Sequence, residues 1–305
     1  MSSDELFRRA VVARRFHLDG RTRVQIADEF GLSRFKVARM LDEAIESGMV
    51  EIKIHYPGAI DLELSTALQR GYGLDHAYVV AADVRGDDRV EAVATTTADL
   101  LRSILRDGDV IGVDCGRTLT NVARHLVSLP RCDVVQLTGM AGAIAHNGVD
   151  LVRRITEVCG GHAWPLYAPL VVADARTAES LAVNPQIVDA FAHHESVTCA
   201  VVSVGAWERG ASQVYEALPD DEAVSLRAAG VVAETCALLL DENGRRVPGL
   251  TERRMGIDES VLRAIPTRIA LATGSEKIVA TRAVLRSGLV SSLVTDSDIA
   301  TAVLA

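Results

Sequence analysis

Between Ile111 and Leu126 the chain reads IGVDCGRTLTNVARHL, which sets an acid, a thiol, a glycine, an arginine and a threonine side by side. An apolar run that reads as a buried strand precedes them, and a helical pattern follows. Two chemistries fit such a loop. Cys115 as a nucleophile needs a general base, normally histidine, and a thiol pKa lowered by a cation or a helix N-terminus. Arg117 and the following helix meet the second need, but the sequence nominates no particular histidine for the first. As a ligand loop the same residues ask for less. Gly116 lets the backbone approach, Thr118 offers a hydroxyl and an N-cap, Arg117 gives a fork of donors, and the helix dipole favours an anion. Asp114 suits a sugar hydroxyl and would repel a phosphate beside it. The loop therefore reads as a polyol site, with or without a phosphate.

A second candidate lies in ATGSEKIVATRAVLRSGLVSSLVTD, where Ser275 is expected to cap a helix and Lys277 to sit in its first turn. A lysine there opposes the helix dipole, so it is poor surface decoration. Lysines occur only at 36, 53 and 277. An isolated lysine at a strand end points to anion binding. Glu234, an acid inside the apolar run VVAETCALLL, reads either as a ligand-hydroxyl acceptor or as an edge-strand residue facing water. The loop TGMAG, with Thr138 and Gly139, leaves a third strand in the same manner. In AHHES, residues 192 to 196, adjacent histidines on a helix point about 100° apart and lack ligand spacing. No metal and no cofactor is expected. Trp164 and Trp207 suit either a sugar-stacking face or the core. No GxxxxGK[ST] occurs, which argues against a P-loop nucleoside triphosphatase.

Positioning these loops falls to a larger α/β unit. From residue 75 onward short β-rich runs alternate with helical patterns: HAYVVAA, DVIGVD, CDVVQLTG, CAVVSVGA, VVAETCALLL, RIALATG and VSSLVTD. Buried strands alternating with helices imply a doubly wound, mostly parallel sheet, whose ligands bind beyond the carboxyl ends of the strands. The loops DCGRT, TGMAG and TGSEK leave strands there.

Ahead of that unit, residues 1 to 56 read as a helix-turn-helix domain with a wing. Apolar residues recur at helical spacing from Asp4 to Leu18, and Asp19-Gly20 supplies a stop. Thr22 caps a short helix carrying Val24, Ile26, Ala27 and Phe30. Ser33 caps the next, with Val37, Met40, Leu41 and Ile45 expected inward. Ala27, Gly31 and Leu32 stand where two helices meeting at a sharp angle need a small residue, a positive-φ glycine and an apolar residue. Thr22, Gln25, Ser33, Arg34, Phe35, Lys36 and Arg39 then face outward at helix starts, where such a motif meets base edges and phosphates. VEIKIHY, residues 50 to 56, is expected to form a strand or wing. Residues 57 to 75 are expected to be a linker or connecting helix, and 57 to 305 to be the ligand-binding domain.

Charge supports this division. The formal charge is −9, yet residues 1 to 56 hold ten Arg and Lys against nine Asp and Glu, a balance of +1 that leaves −10 for the rest. Only the first segment is not repelled by a polyanion. No run of about 18 apolar residues suggests a membrane span, and no signal peptide is seen. Five scattered cysteines form no CxxC pair and suit a reduced, cytoplasmic protein.

The order of a helix-turn-helix, then IGVDCGRTLTNVARHL, then VVQLTGMAG, then LATGSEKIVATRAVLRSGLVSSLVTDSDIATAVL resembles the SorC/DeoR-type sugar-binding transcriptional regulators. The resemblance spans nearly the whole chain. It implies a ligand domain similar in fold to ribose-5-phosphate isomerase and glucosamine-6-phosphate deaminase, which binds a sugar, polyol or sugar phosphate without turning it over. It also implies a homo-oligomer, dimer or tetramer, on palindromic double-stranded operator DNA. The family's GxGWGRT loop falls on Gly112 to Thr118, with Asp114 and Cys115 in place of its glycine and tryptophan and with Gly116, Arg117 and Thr118 kept. Glu234 takes the place of the family's aspartate, and Lys277 matches its lysine after a diglycine, here Thr273-Gly274. The implied effector site is Gly112, Asp114, Cys115, Gly116, Arg117, Thr118, Thr138, Gly139, Glu234, Gly274 and Lys277. The rival readings are a sugar-phosphate isomerase or deaminase with an accessory domain, and a redox- or metal-responsive repressor acting through Cys115.

Overall fold

Thr22 and Ser33 do at their helix starts what short hydroxyl side chains do best. Thr22 Oγ1 accepts from the amide of Gln25 at 3.3 Å while Gln25 Oε1 accepts from the amide of Thr22 at 3.0 Å, a reciprocal capping box. Ser33 Oγ accepts from the amide of Lys36 at 3.2 Å. These caps open α2 (Arg23–Phe30) and α3 (Arg34–Glu46), which follow α1 (Ser3–His17). Gly31, at φ 62°, closes α2 and turns the chain into α3. The computed structural model describes residues 3–52, 60–81, 87–141 and 148–305.

The three helices bury Val12, Ala13, Ile26, Ala27, Val37, Met40, Leu41 and Ala44 as one small core. One inward expectation is corrected. Ile45 is 48% exposed, because the inward seam of α3 runs through 37, 40, 41 and 44 and leaves Ile45 a further 100° round. Most of the wing expected over 50 to 56 lies outside the described residues; Val50 closes α3 by donating to Ala44 O at 3.0 Å.

The chain divides into two units, Met1–Pro57 and Gly58–Ala305. The second begins with α4 (Leu62–Tyr72), β1 (His76–Val80), α5 (Asp87–Ile104), β2 (Val110–Val113), α6 (Arg117–His125), β3 (Asp133–Gln136), α7 (Gly148–Cys159) and β4 (Ala163–Trp164). It continues with α8 (Ala175–Ala182), α9 (Pro185–His194), β5 (Cys199–Ser203), β6 (Gly205–Ala206), α10 (Gln213–Ala217), α11 (Asp220–Ala228), β7 (Ala233–Thr235) and β8 (Leu238–Leu240). Last come α12 (Glu259–Ala264), β9 (Thr267–Ala272), a 3₁₀ turn (Ser275–Lys277), α13 (Ile278–Ser287), β10 (Ser292–Asp296) and α14 (Ser297–Leu304).

Seven strands form a wholly parallel sheet in the order β4-β3-β2-β5-β9-β10-β1. Both faces are buried, as parallel strands require. Along β5, Cys199 and Val201 enter one core and Ala200 and Val202 the other. β2 to β4 step outward one way, and β5, β9 and β10 step the other way. The crevice between the ends of β2 and β5 is therefore the topological switch point.

The segment read as a linker or connecting helix contains α4, which packs into this unit. Leu68 is fully buried, Val79 N donates to Ser65 Oγ at 3.0 Å, and Tyr72 Oη donates to Val303 O at 2.7 Å. The run VVAETCALLL is not one strand. It reverses at Cys236-Ala237 into the hairpin β7–β8, which joins β6 in a small antiparallel sheet.

Candidate functional site

A cavity of about 530 Å³ opens at the switch point. It gathers the loop after β2, the end of β5, the start of β6, the β7–β8 hairpin and the loop after β9. Seven of the residues expected at the site line it: Asp114, Cys115, Gly116, Arg117, Thr118, Glu234 and Lys277. Each comes from the carboxyl end of a strand or the small sheet beside it.

Asp114 is buried and holds these loops together. Its Oδ1 accepts from the amide of Cys115 at 2.8 Å and from Thr138 Oγ1 at 2.6 Å; its Oδ2 accepts from the amides of Ser203 at 3.5 Å and Cys236 at 3.4 Å. Four donors from four segments converge on one carboxylate. Burial pushes its pKa up, and the four donors pull against that. Glu234 is also buried. Its Oε1 accepts from Ser212 Oγ at 3.0 Å and its Oε2 from the amide of Ala237 at 3.3 Å. Burial first, and then the neighbouring Asp114, push Glu234 up to about 7. Room for this carboxyl depends on Gly205, where a Cβ would stand 2.0 Å from Glu234 Oε1.

Two cations complete the cavity. Lys277 is buried, and burial lowers its pKa while Glu276 and Glu234 pull it back up. Its ammonium has no hydrogen bond among the described residues. Arg117 is exposed at the mouth and donates to the carbonyl of Gly210. No side chain caps α6 at Gly116, so the first amides of that helix remain as donors.

Several expectations are corrected here. Thr118 is the second residue of α6 rather than its cap, and Ser275 caps nothing, since Lys277 itself occupies the position ahead of α13. Glu234 does not face water. Gly112, Thr138, Gly139 and Gly274 stay off the cavity wall. A Cβ on Gly112 would lie 2.8 Å from Leu137 and Val197, and one on Gly139 would lie 2.5 Å from the carbonyl of Pro169, so both glycines serve packing. Thr138 supports Asp114 from behind, and Gly274 donates its amide to Asp296 Oδ2 at 3.0 Å. The sequence reading missed Asn121, Ser203, Gly205, Ser212, Thr273 and Glu276, all of which line the cavity. Ser203 and Gly205 stand at the carboxyl end of CAVVSVG, a strand-end signal equal to the one that found DCGRT.

The thiol of Cys115 answers the nucleophile reading. Burial and the charge of Asp114 push its pKa well up, and no histidine lines the cavity among the described residues. His194 is instead buried with Nε2 3.0 Å from Gln136 O, and His193 stacks on Trp164 at 3.6 Å. Trp207 is core, its Nε1 donating to Ala223 O at 3.0 Å.

In the first unit, α3 presents a different surface. Phe35 is 72% exposed with the Arg34 guanidinium 5.0 Å above its ring. Lys36 projects to solvent, and Arg39 lies 3.8 Å from Glu43, which also pairs with Arg9. Thr22 and Gln25 spend their side chains on the capping box but remain exposed at the start of α2.

Residues 57–305 match the sugar-binding domain family, Sugar-bind. The transcriptional regulator LsrR of Escherichia coli K12 is 26% identical over 298 residues, covering 95% of this chain and 92% of LsrR. LsrR of Klebsiella pneumoniae is 28% identical over 312 residues, covering 100% and 94%. In fold the chain is similar to the full-length sorbitol operon regulator SorC from Klebsiella pneumoniae, with a TM-score of 0.77, 22% identity and full coverage of both chains. A transcriptional regulator from Streptococcus pneumoniae TIGR4 gives a TM-score of 0.74 at 23% identity, covering 79% of this chain and 95% of that one.

Proposed function

The chain belongs to the sugar-binding domain family of SorC/DeoR-type regulators, and from that premise we propose that it is a transcriptional regulator whose operator binding is modulated by a carbohydrate held at the β2–β5 crevice. The observation that carries the reading is the cavity's polarity. Lys277, Arg117 and the uncapped start of α6 offer one region to an anion, while Glu234, Ser212 and Ser203 offer another to hydroxyls. A sugar, polyol or sugar phosphate carries both kinds of group. Asp114 acts by fixing the loops, since four donors from four segments already converge on it, against two on Glu234.

DNA contact falls to Ser33, Arg34, Phe35, Lys36 and Arg39 on α3, with Thr22 and Gln25 at the start of α2. Arginine grips guanine bidentately, and lysine and serine anchor phosphates. One helix-turn-helix reads one half-site, so the protein works as a homo-oligomer, dimer or tetramer, on a palindromic operator in the cytoplasm. It binds its effector without turning it over.

A thermal-shift panel of pentoses, hexoses, polyols and their phosphates tests the reading, repeated with Arg117→Ala and Lys277→Ala. A shift given by phosphates and lost in both variants is expected if the anion end works as described. A shift with neutral polyols that both variants retain would move recognition to Glu234 and Ser212 alone. No shift with any member would remove the effector reading. Recovery of the bound compound unchanged by NMR checks that it is not consumed.

A further inference from the structure

The turn joining β7 to β8 is made of Cys236 and Ala237, both left-handed, with φ of 50° and 56°. They are the only non-glycine residues at positive φ among the described residues. Two-residue hairpin turns of this hand favour Asn-Gly, and a residue with a Cβ held there costs energy. Neither cysteine nor alanine has the short polar side chain that makes such a backbone tolerable. The turn must be held from outside.

It is held by the two carboxylates of the cavity. Cys236 donates its amide to Asp114 Oδ2 at 3.4 Å, and Ala237 donates its amide to Glu234 Oε2 at 3.3 Å. Both turn residues are buried, so an amide that loses its carboxylate is left unsatisfied. The far end of the hairpin is fitted to α13. A Cβ on Gly244 would lie 2.5 Å from Ser287 N, and Arg286 donates to Glu242 O at 3.0 Å. α13 starts directly after Lys277, so the hairpin runs from the cavity to the opposite end of a helix that also begins there.

Resting on the effector-site reading, we propose that the Cys236–Ala237 turn is the conformational element the cavity controls: Asp114 and Glu234 hold it strained, and a ligand hydroxyl engaging Glu234 competes with the Ala237 amide and lets the hairpin relax along α13. A ligand then shifts two packings by its differential hold on Glu234. Strain supplies the bias toward release.

Amide hydrogen exchange of the full chain, read on the peptide spanning residues 232 to 241, tests this. Glu234→Ala is expected to speed exchange there about tenfold or more, since a buried amide loses its acceptor. Glu234→Gln keeps an acceptor oxygen and is expected to stay near the starting rate, which guards against a general loss of folding. In an Ala237→Gly background, where glycine relieves the strain at the residue whose amide Glu234 holds, the Glu234→Ala acceleration is expected to shrink to about threefold or less. Equal acceleration in both backgrounds, or none in either, overturns the strained hold. A panel compound that raises the melting temperature is expected to speed exchange in this peptide; binding with unchanged or slower exchange overturns release by ligand. If no compound binds while the mutant cycle holds, the effector reading falls, control by ligand falls with it, and the turn stands as a structural latch.

Discussion

The outward face of α3 and the cavity between β2 and β5 both use charged side chains, in opposite surroundings. On α3, Arg34, Lys36 and Arg39 stand in water, where neighbouring charges are screened. In the cavity, Asp114, Glu234 and Lys277 are buried, and burial is the largest influence on each of them. The exposed face leaves its cations to solvent. In the buried one the carboxylates are already engaged by protein donors, and a newcomer must compete for them. A surface of the first kind tolerates change, whereas a surface of the second kind transmits it.

The sharpest way to break that contrast is Asp114→Ala, which strands the donors of Cys115, Thr138, Ser203 and Cys236 at once. Urea unfolding is expected to show a loss of roughly 3–5 kcal/mol, with Asp114→Asn in between. A loss of about 1 kcal/mol or less in the alanine variant would mean that Asp114 does not hold the loops.

Glu234 offers the next largest effect, through pH. Its ordinary value is 4.5, and in the fold it stands at about 7. Below 4.5 the group is protonated whether the chain is folded or not, so it costs nothing. Between 4.5 and 7 the unfolded chain sheds a proton that the folded chain keeps, so this group's contribution to stability falls as pH rises. Relative to the unaltered protein, Glu234→Gln is expected to gain up to ~3 kcal/mol across that window. Parallel stability curves for the two proteins from pH 4.5 to 7 would show that Glu234 titrates normally.

Effects on α3 are expected to be smaller and to appear in binding rather than folding. Arg34→Ala is expected to cost about 1–3 kcal/mol on a selected operator and to relax the preference at one base, while Lys36→Ala lowers the salt slope by about 1. Equal losses on all sequences would make Arg34 a phosphate contact. At the bottom of the scale, Ile45→Ser is expected to change stability by less than about 0.5 kcal/mol, because Ile45 faces solvent. A loss near 2 kcal/mol would place it in the core after all.

The same contrast explains what could be read from the residues. The helix-turn-helix was legible because its determinants are local: Thr22, Ser33 and Gly31 cap or break helices within a few positions of themselves. Where the reading slipped, at Ile45, Ala44 one position before it took the inward seam. The parallel sheet was legible from its buried runs and the loops that leave them. The cavity was only half legible. DCGRT, Glu234 and Lys277 announced themselves by type, but Ser203 and Ser212 matter through Asp114 and Glu234, partners 89 and 22 residues away. Linear spacing says nothing about which strand end will face which. Thr138 and Gly112 sat beside residues that line the cavity and were drawn in by that proximity, although one supports Asp114 from behind and the other makes room for the core.

The order of the strands also bears on how the chain is made. β10 lies between β1 and β9, so the sheet neighbour of β1, formed by residues 76–80, is residues 292–296, beside a single bridge from Ile60 to Val80. While the ribosome is still adding residues up to 290, that early strand has no neighbour in the sheet, and the outer edge of β9 is equally bare. Such bare edges are aggregation hazards, and chain elongation at ≈ 5–20 residues per second leaves β1 waiting for on the order of ten seconds or more and the edge of β9 for only a few. Completion of the ligand-binding unit is thus a late event in synthesis.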